Sequence, residues 1–234
     1  MKKIGIIGAM QVEIEGLVSQ LKNKKQKRIG GLLFYKGTIS SKNSDTSVVV
    51  VRCGIGKVYS SAAAAIMINS FKELELIINL GVAGGVDKNL RQGDFVVGDF
   101  SVLHDFDLTV EGLKIGQLTT TQERGFKSCP IAVNKMQKAL EKSNARVKVG
   151  TIVSGDQFIN SKQKVTEFRQ EFNALACDME TAAIAQTCDI FNVPFLGIRA
   201  ISDNADDTAG EDFNSFVKKA AQKSIAAVMQ FVMS

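Results

Sequence analysis

Three acids stand where chemistry could be done. Glu13 follows the apolar run "KIGIIG" (3–8), Glu180 follows "ALACDM" (174–179), and Asp203 closes "PFLGIRAIS" (194–202). In α/β proteins ligands gather beyond the carboxyl ends of strands, so acids delivered by three such ends could meet over one substrate. The chemistry they suit is hydrolysis of an acid-labile bond. Cleaving a glycosidic bond builds positive charge on the sugar and negative charge on the leaving group. One carboxyl can protonate the leaving group, a second can activate water, and a third can steady the sugar cation. Each acid also has a plainer reading. Glu13 and Glu180 fall at helix starts, where an acid meets the helix dipole favourably, and Asp ends strands because its side chain bonds backbone in turns.

Two other strand ends present glycine, "GIGK" (54–57) and "GVAGG" (81–85). Both read as turns whose bare backbone lets a flat or polar ligand close in, and the second contributes Ala83 and Gly84 to the candidate binding positions. Neither matches GxxxxGK[ST] or GxGxxG, so a nucleoside triphosphate or dinucleotide site fails on spacing. "SGDQFIN" (154–160) puts Phe158 and Ile159 in a loop beside these ends. A serine hydrolase fits poorly, because GxSxG is missing and the single histidine, His104, lies in an acidic stretch. One histidine and four scattered cysteines (Cys53, Cys129, Cys177, Cys188) make no metal set, so neither metal nor cofactor is expected. Cysteines without CxxC spacing fit a reducing compartment.

The elements that must position these acids are legible as an alternation. Apolar runs bounded by glycine recur at 3–8, 47–54, 76–81, 94–103, 147–155, 174–179 and 194–202. Several are apolar at nearly every position, as expected of strands covered on both faces. Helix-like segments lie between them at 57–71, 130–143, 161–171, 180–191 and 211–233. The pattern predicts an α/β domain with helices on both sides of a largely parallel sheet. Two prolines and no Gly/Ser-rich tract leave no linker, so residues 1–234 read as one domain. "SSKNSD" (40–45) reads as the turn of a hairpin between "LLFYKGTI" and "SVVVV". The long stretch 104–128 has no clear element and is a candidate functional loop.

The net charge of +5 comes from scattered residues. Its densest run, "KNKKQKR" (22–28), reads as the exposed end of a helix and the turn after it. It lacks the aromatics that stack on bases, which argues against nucleic acid. "MKKIGIIGAMQVEIE" opens like a signal peptide, but its apolar stretch is short, holds two glycines and meets Glu13 at once. No stretch reaches membrane-spanning length. The default expectation is a cytoplasmic protein with no membrane partner.

Taken together, "IGIIGAMQVEIE", "GIGKV", "INLGVAGG", "VSGDQFIN", "CDMETAAIAQ" and "NVPFLGIRAISD" resemble, in order, the signature blocks of the bacterial 5′-methylthioadenosine/S-adenosylhomocysteine nucleosidases. Those belong to the nucleoside phosphorylase/hydrolase superfamily, and the likeness covers essentially the whole chain. The resemblance implies a three-layer αβα sandwich around a mostly parallel, mixed sheet, and a homodimer. It implies hydrolysis of the N-glycosidic bond of 5′-thio-adenosines, with 5′-deoxyadenosine a further substrate. By matching position, Asp203 would protonate N7 of adenine with Ser202 assisting, and Glu13 would activate water with Arg199 helping to hold the site's anions. Glu180 would grip the ribose hydroxyls and Met179 would lie against the sugar. Phe158 would stack on adenine and the Ile159 backbone would bond its edge. Met10, Ile55 and Phe213 would wall the alkylthio pocket, closed by Leu108 of the other subunit. A proton-donating Asp needs a raised pKa, hence shielding from water, and a rigid strand to fix it.

Three positions depart from that pattern. Val82 stands where serine is common, Glu111 where an aromatic is often found, and Asp178 is a small change expected to be harmless. The nearest rival is a phosphorylase of the same superfamily, for which Arg199, Arg52 and Lys57 are the candidate phosphate ligands. A second rival is a non-catalytic nucleoside-binding or surface-interaction protein.

Overall fold

A strand apolar at every position must be covered on both faces, and side chains alternate between those faces. The computed structural model, which describes residues 3–41, 45–120, 123–205 and 209–233 (211 and 212 as backbone only), follows that rule. The described strands are β1 (Lys3–Gly8), β2 (Lys22–Ile29), β3 (Leu32–Ser40), β4 (Asp45–Arg52), β5 (Leu76–Gly85), β6 (Phe95–Leu103), β7 (Phe126–Lys127), β8 (Val147–Ser154), β9 (Ala174–Asp178) and β10 (Phe195–Asp203). The helices are α1 (Gln11–Gln20), α2 (Lys57–Ser70), α3 (Pro130–Lys142), α4 (Lys162–Phe172), α5 (Thr181–Ile190) and α6 (Ala209–Met233).

Ile4, Ile6, Val48, Val50, Ile78, Leu80, Leu196 and Ile198 face one way, into a core shared with α1, α3 and α6. The intervening Ile7, Val49, Val51, Ile77 and Phe195 face the other way, against α2 and α5. The result is the expected three-layer αβα arrangement. Gly5 is required by the second interface, because a Cβ there would lie 2.5 Å from the Met67 sulfur on α2.

The sheet is mixed. Strands β4, β1, β5 and β10 run parallel, while β2 and β3 add antiparallel strands at one edge. The other half curls round on itself. β10 pairs with β6, β6 with β8, β8 with β9, and β9 returns to the end of β5 at Gly84 and Gly85. This closed ring was not expected from an open-sheet reading. It arises because β5 is ten residues long: its first half pairs with β1 and its tip is left for β9. The tip also corrects the reading of "GVAGG" as a turn, since all five residues continue the strand.

Two other expectations change. "KNKKQKR" is strand rather than helix end: β2 is exposed at every residue of that run and is held chiefly by pairing with β3, with Ile29 at its end packed on the core. Pairing overrode local preference, and a lysine-rich edge resists pairing with other chains. The stretch 104–128 holds a 3-10 turn at Thr109–Glu111 and the two-residue β7. Of the turn predicted at 40–45, residues 42–44 lie outside the described residues.

Candidate active site

Glu13 is the third residue of α1. Its Oε2 accepts hydrogen bonds from the backbone N–H of Ala9 (2.7 Å) and Met10 (2.8 Å), so it does cap its helix. Its other oxygen crosses to β5 and accepts from Val82 N–H at 3.1 Å. Gly81 permits that crossing, because a Cβ there would stand 2.7 Å from Oε1. The side chain is buried, and desolvation raises its pKa against the pull of the Arg199 charge and the three backbone donors.

Glu180 stands immediately before α5, and its Oε1 accepts from Gly56 N–H at 2.9 Å. Gly56 has φ of 100°, a conformation suited to glycine, and its N–H is thereby turned towards the acid. Burial, joined by the negative charge of Asp178, pushes the Glu180 carboxyl up to about 8, against the attraction of Arg199.

Asp203 ends β10 just after a register shift between Ile201 and Asp203. A bulge at this point re-aims the strand's last side chains. Ser202 Oγ donates to Asp203 Oδ2 at 2.7 Å, and Ala205 N–H donates to Oδ1 at 2.8 Å. Asp203 faces Gly84 across the strand pair, where a Cβ would lie 3.1 Å from Oδ1 and 2.7 Å from the Ala205 Cβ.

These three acids open on one cleft whose empty space, open mouth included, is about 600 Å³. That is ample for a nucleoside-sized ligand. Met10, Ile55, Ala83, Gly84, Phe158, Ile159, Met179, Ser202 and Phe213 line the same cleft. At its mouth the rings of Phe158 and Phe213 meet edge to face at 5.6 Å. Two sequence candidates lie elsewhere. Leu108 is half-buried in the loop after β6 and does not line this chain's own cleft. Arg199 is not a lining residue either; expected to help hold the site's anions, it acts by its charge on Glu13 and Glu180 from behind the cleft wall. It is fully buried behind Asp178, with Nε 2.7 Å from Asp178 Oδ2, and it also donates to the carbonyls of Asn79 and Ile198.

That buried pair is the part sequence reasoning missed. Asp178 is also bonded by the hydroxyls of Ser154 and Thr181, and Asn79 Oδ1 accepts from Arg199. The signal was Arg199 itself, a cation within an otherwise apolar strand that needs a buried acid as partner. His104, the chain's one histidine, is buried against Phe168 with ring centroids 4.5 Å apart, and burial lowers its pKa. Among the described residues no cluster of histidine, cysteine and carboxylate groups could hold a metal.

The electrostatics of the cleft are one-sided. Among the described residues its lining includes four acids, Glu13, Asp178, Glu180 and Asp203, and no lysine or arginine. Lys57 is held by Asp105 at 2.7 Å, and Arg52 is exposed. An arrangement of buried acids on a substantially apolar pocket can protonate, hold water and stabilise a cation. It is poorly made for binding an anion.

Such a fold and acid-lined cleft define a class. Residues 3–233 match the family model described as the phosphorylase superfamily, and the chain belongs to that superfamily. Its relatives there bear a more particular name. A 5′-methylthioadenosine/S-adenosylhomocysteine nucleosidase of Haemophilus influenzae is 39% identical over 231 residues, 98% of each chain. The crystal structure of the nucleosidase of that name from Neisseria meningitidis, in complex with methylthio-immucillin-A, superposes with a TM-score of 0.94 at 38% identity, over 100% of this chain and 99% of the other. A futalosine hydrolase mutant from Helicobacter pylori superposes with a TM-score of 0.92 at 32% identity, covering 99% of both chains.

Proposed function

We infer that this chain is an N-glycosyl hydrolase that cleaves 5′-methylthioadenosine and S-adenosylhomocysteine to adenine and the 5-substituted ribose. The observation that carries this reading is the meeting of Glu13, Glu180 and Asp203 in one cleft whose lining, among the described residues, holds no lysine or arginine. Water is the nucleophile that such a cleft admits; a phosphate dianion would meet buried acid side chains and, among the described residues, no lysine or arginine in the lining to hold it. An acid-lined cleft of this kind suits hydrolysis rather than the phosphate-dependent chemistry of the superfamily's phosphorylases.

In the proposed mechanism Asp203 delivers a proton to N7 of the departing adenine, aligned by Ser202. Glu13 orients and deprotonates the attacking water. Glu180 binds the ribose hydroxyls and steadies the oxocarbenium-like transition state. Phe158 stacks on the base, the Ile159 backbone meets its edge, Met179 lies under the sugar, and Met10, Ile55 and Phe213 enclose the 5′ substituent. Two backbone donors on one Glu13 oxygen and a third on the other support its fixed orientation. Carboxyls of different placement divide the acid, base and electrostatic roles.

We further propose a single domain acting as a homodimer in the cytoplasm. The dimer reading is supported by exposed apolar side chains next to the cleft mouth, Ile55, Val58 and Tyr59, and by exposed Val110 on the segment that carries Leu108. A patch of this kind marks an interaction surface. Free cysteines at all four positions fit a reducing compartment. Adenine release measured over a panel of 5′-substituted adenosines and futalosine-type nucleosides, with and without phosphate, tests the reading. Phosphate-independent release of adenine from methylthioadenosine is expected; strict phosphate dependence would overturn it.

A further inference from the structure

The buried polar node under the cleft has more partners than a structural ion pair needs. Asp178 contributes to the cleft floor, but its carboxylate turns inward. It receives Arg199 Nε at 2.7 Å and Nη2 at 2.6 Å, together with the hydroxyls of Ser154 and Thr181. It also accepts from the backbone N–H of Glu180 and of Thr181, each at 3.3 Å. Ser154 Oγ, which donates to Asp178, accepts from Ala182 N–H at 2.9 Å. The first backbone donors of α5, ordinarily left unsatisfied at a helix start, are therefore held by Asp178 and its neighbour. Glu180 is the residue at that helix start. On the other side, Asn79 receives Arg199 through both its backbone and side-chain oxygens and anchors to Ile7 C=O at 3.0 Å.

We propose that Asp178 is a positioning residue for the hydrolytic site: it fixes the Arg199 guanidinium beneath the two glutamates and holds the helix start that carries Glu180. The inference rests on the hydrolytic reading above. The groups acting on Glu180 are Asp178 from β9, Arg199 from β10, Glu13 from α1, Cys53 after β4 and the Gly56 N–H before α2. Asp178 is the negative charge nearest in sequence and, after burial, the largest influence that opposes ionisation of Glu180. Its loss leaves Arg199 without a carboxylate partner and free to attract Glu180 instead.

The test compares wild type with Asp178→Asn, Asp178→Glu and Thr181→Val, using methylthioadenosine as the substrate and far-UV circular dichroism and thermal unfolding as the check on folding. Phosphate-independent adenine release by wild type establishes the hydrolytic reading; its absence sinks that reading and this inference with it, whereas the variants below bear on this inference alone. In Asp178→Asn, kcat is expected to fall about 10- to 100-fold with KM within about threefold, a loss typical of disturbed supporting groups. The pH step in kcat/KM assigned to Glu180 is expected to move down by about one pH unit, because a like charge has been removed. Asp178→Glu restores the charge and should return the step towards its wild-type position. If Asp178→Asn does not fold, Thr181→Val carries the test, with a kcat several-fold lower and an unmoved pH step. Wild-type kcat in the folded variants, or a lost kcat with the pH step unmoved in Asp178→Asn, overturns the proposal.

Discussion

The deep end of the cleft and its mouth are built on opposite rules. At the deep end Glu13 and Asp203 are each 3% exposed, and each accepts bonds at both carboxylate oxygens. At the mouth Ile55 is 55% exposed and Phe158 is 50% exposed, and the Phe158 ring leans edge-on against Phe213. The deep end is over-determined before any ligand arrives, as electrostatic catalysis requires. The mouth is left unfinished, with apolar surface that a ligand or a second subunit would cover. Chemistry and recognition are therefore separable here, and substitutions should sort accordingly: kcat effects from the floor, KM and preference effects from the rim.

The largest effect is expected from Asp203→Asn, which keeps the shape of the side chain and removes the transferable proton. Adenine release should fall by about 10³-fold, within the range of general acid catalysis, with an unchanged circular dichroism spectrum. Glu13→Gln should lower kcat by about 10²-fold, with KM for methylthioadenosine nearly unchanged. An equal rise in KM would erase the division between floor and rim. At the mouth, Phe158→Ala should raise KM about tenfold and leave kcat within about threefold, as expected of a lost stacking surface.

Glu180 sharpens the comparison through pH. Its folded pKa, near 8, lies above the usual carboxylate value of 4.5. The folded state therefore binds this proton more tightly, and the resulting stability is complete below about 4.5 and lost as pH rises through about 8. Glu180→Gln should flatten the fall of Tm between those limits, measured by thermal unfolding across the range. In activity, kcat/KM should rise through the same step as the anion forms, and the step should vanish in the variant. The smallest effect is expected from Glu111→Phe. Glu111 is exposed on the 3-10 turn, away from this chain's own cleft, so the change should alter only the preference among 5′ substituents, by about threefold.

How much of this could be read in advance depended on range. The strands showed because both-face burial demands uninterrupted apolar residues, and the acids showed because each follows such a run directly. "KNKKQKR" misled because a solvated edge strand carries no apolar alternation to betray it; only its pairing with β3 makes it a strand. "GVAGG" misled because glycine usually signals a turn, whereas here it clears space for Glu13 and Asp203 against β5. Arg199 was visible, but its partner was not, because Asp178 lies 21 residues away on another strand.

The order of elements, the acids at the strand ends and the departures at Val82, Glu111 and Asp178 belong to the sequence alone. Periodicity and composition are local properties, and they survive without coordinates. Tertiary structure decided which acids share a cavity, which oxygen of each is spent on backbone donors, and that Arg199 faces inward to Asp178. Those outcomes depend on strand register, a bulge and the closing of a ring of strands, where a displacement of one residue turns a side chain to the opposite face.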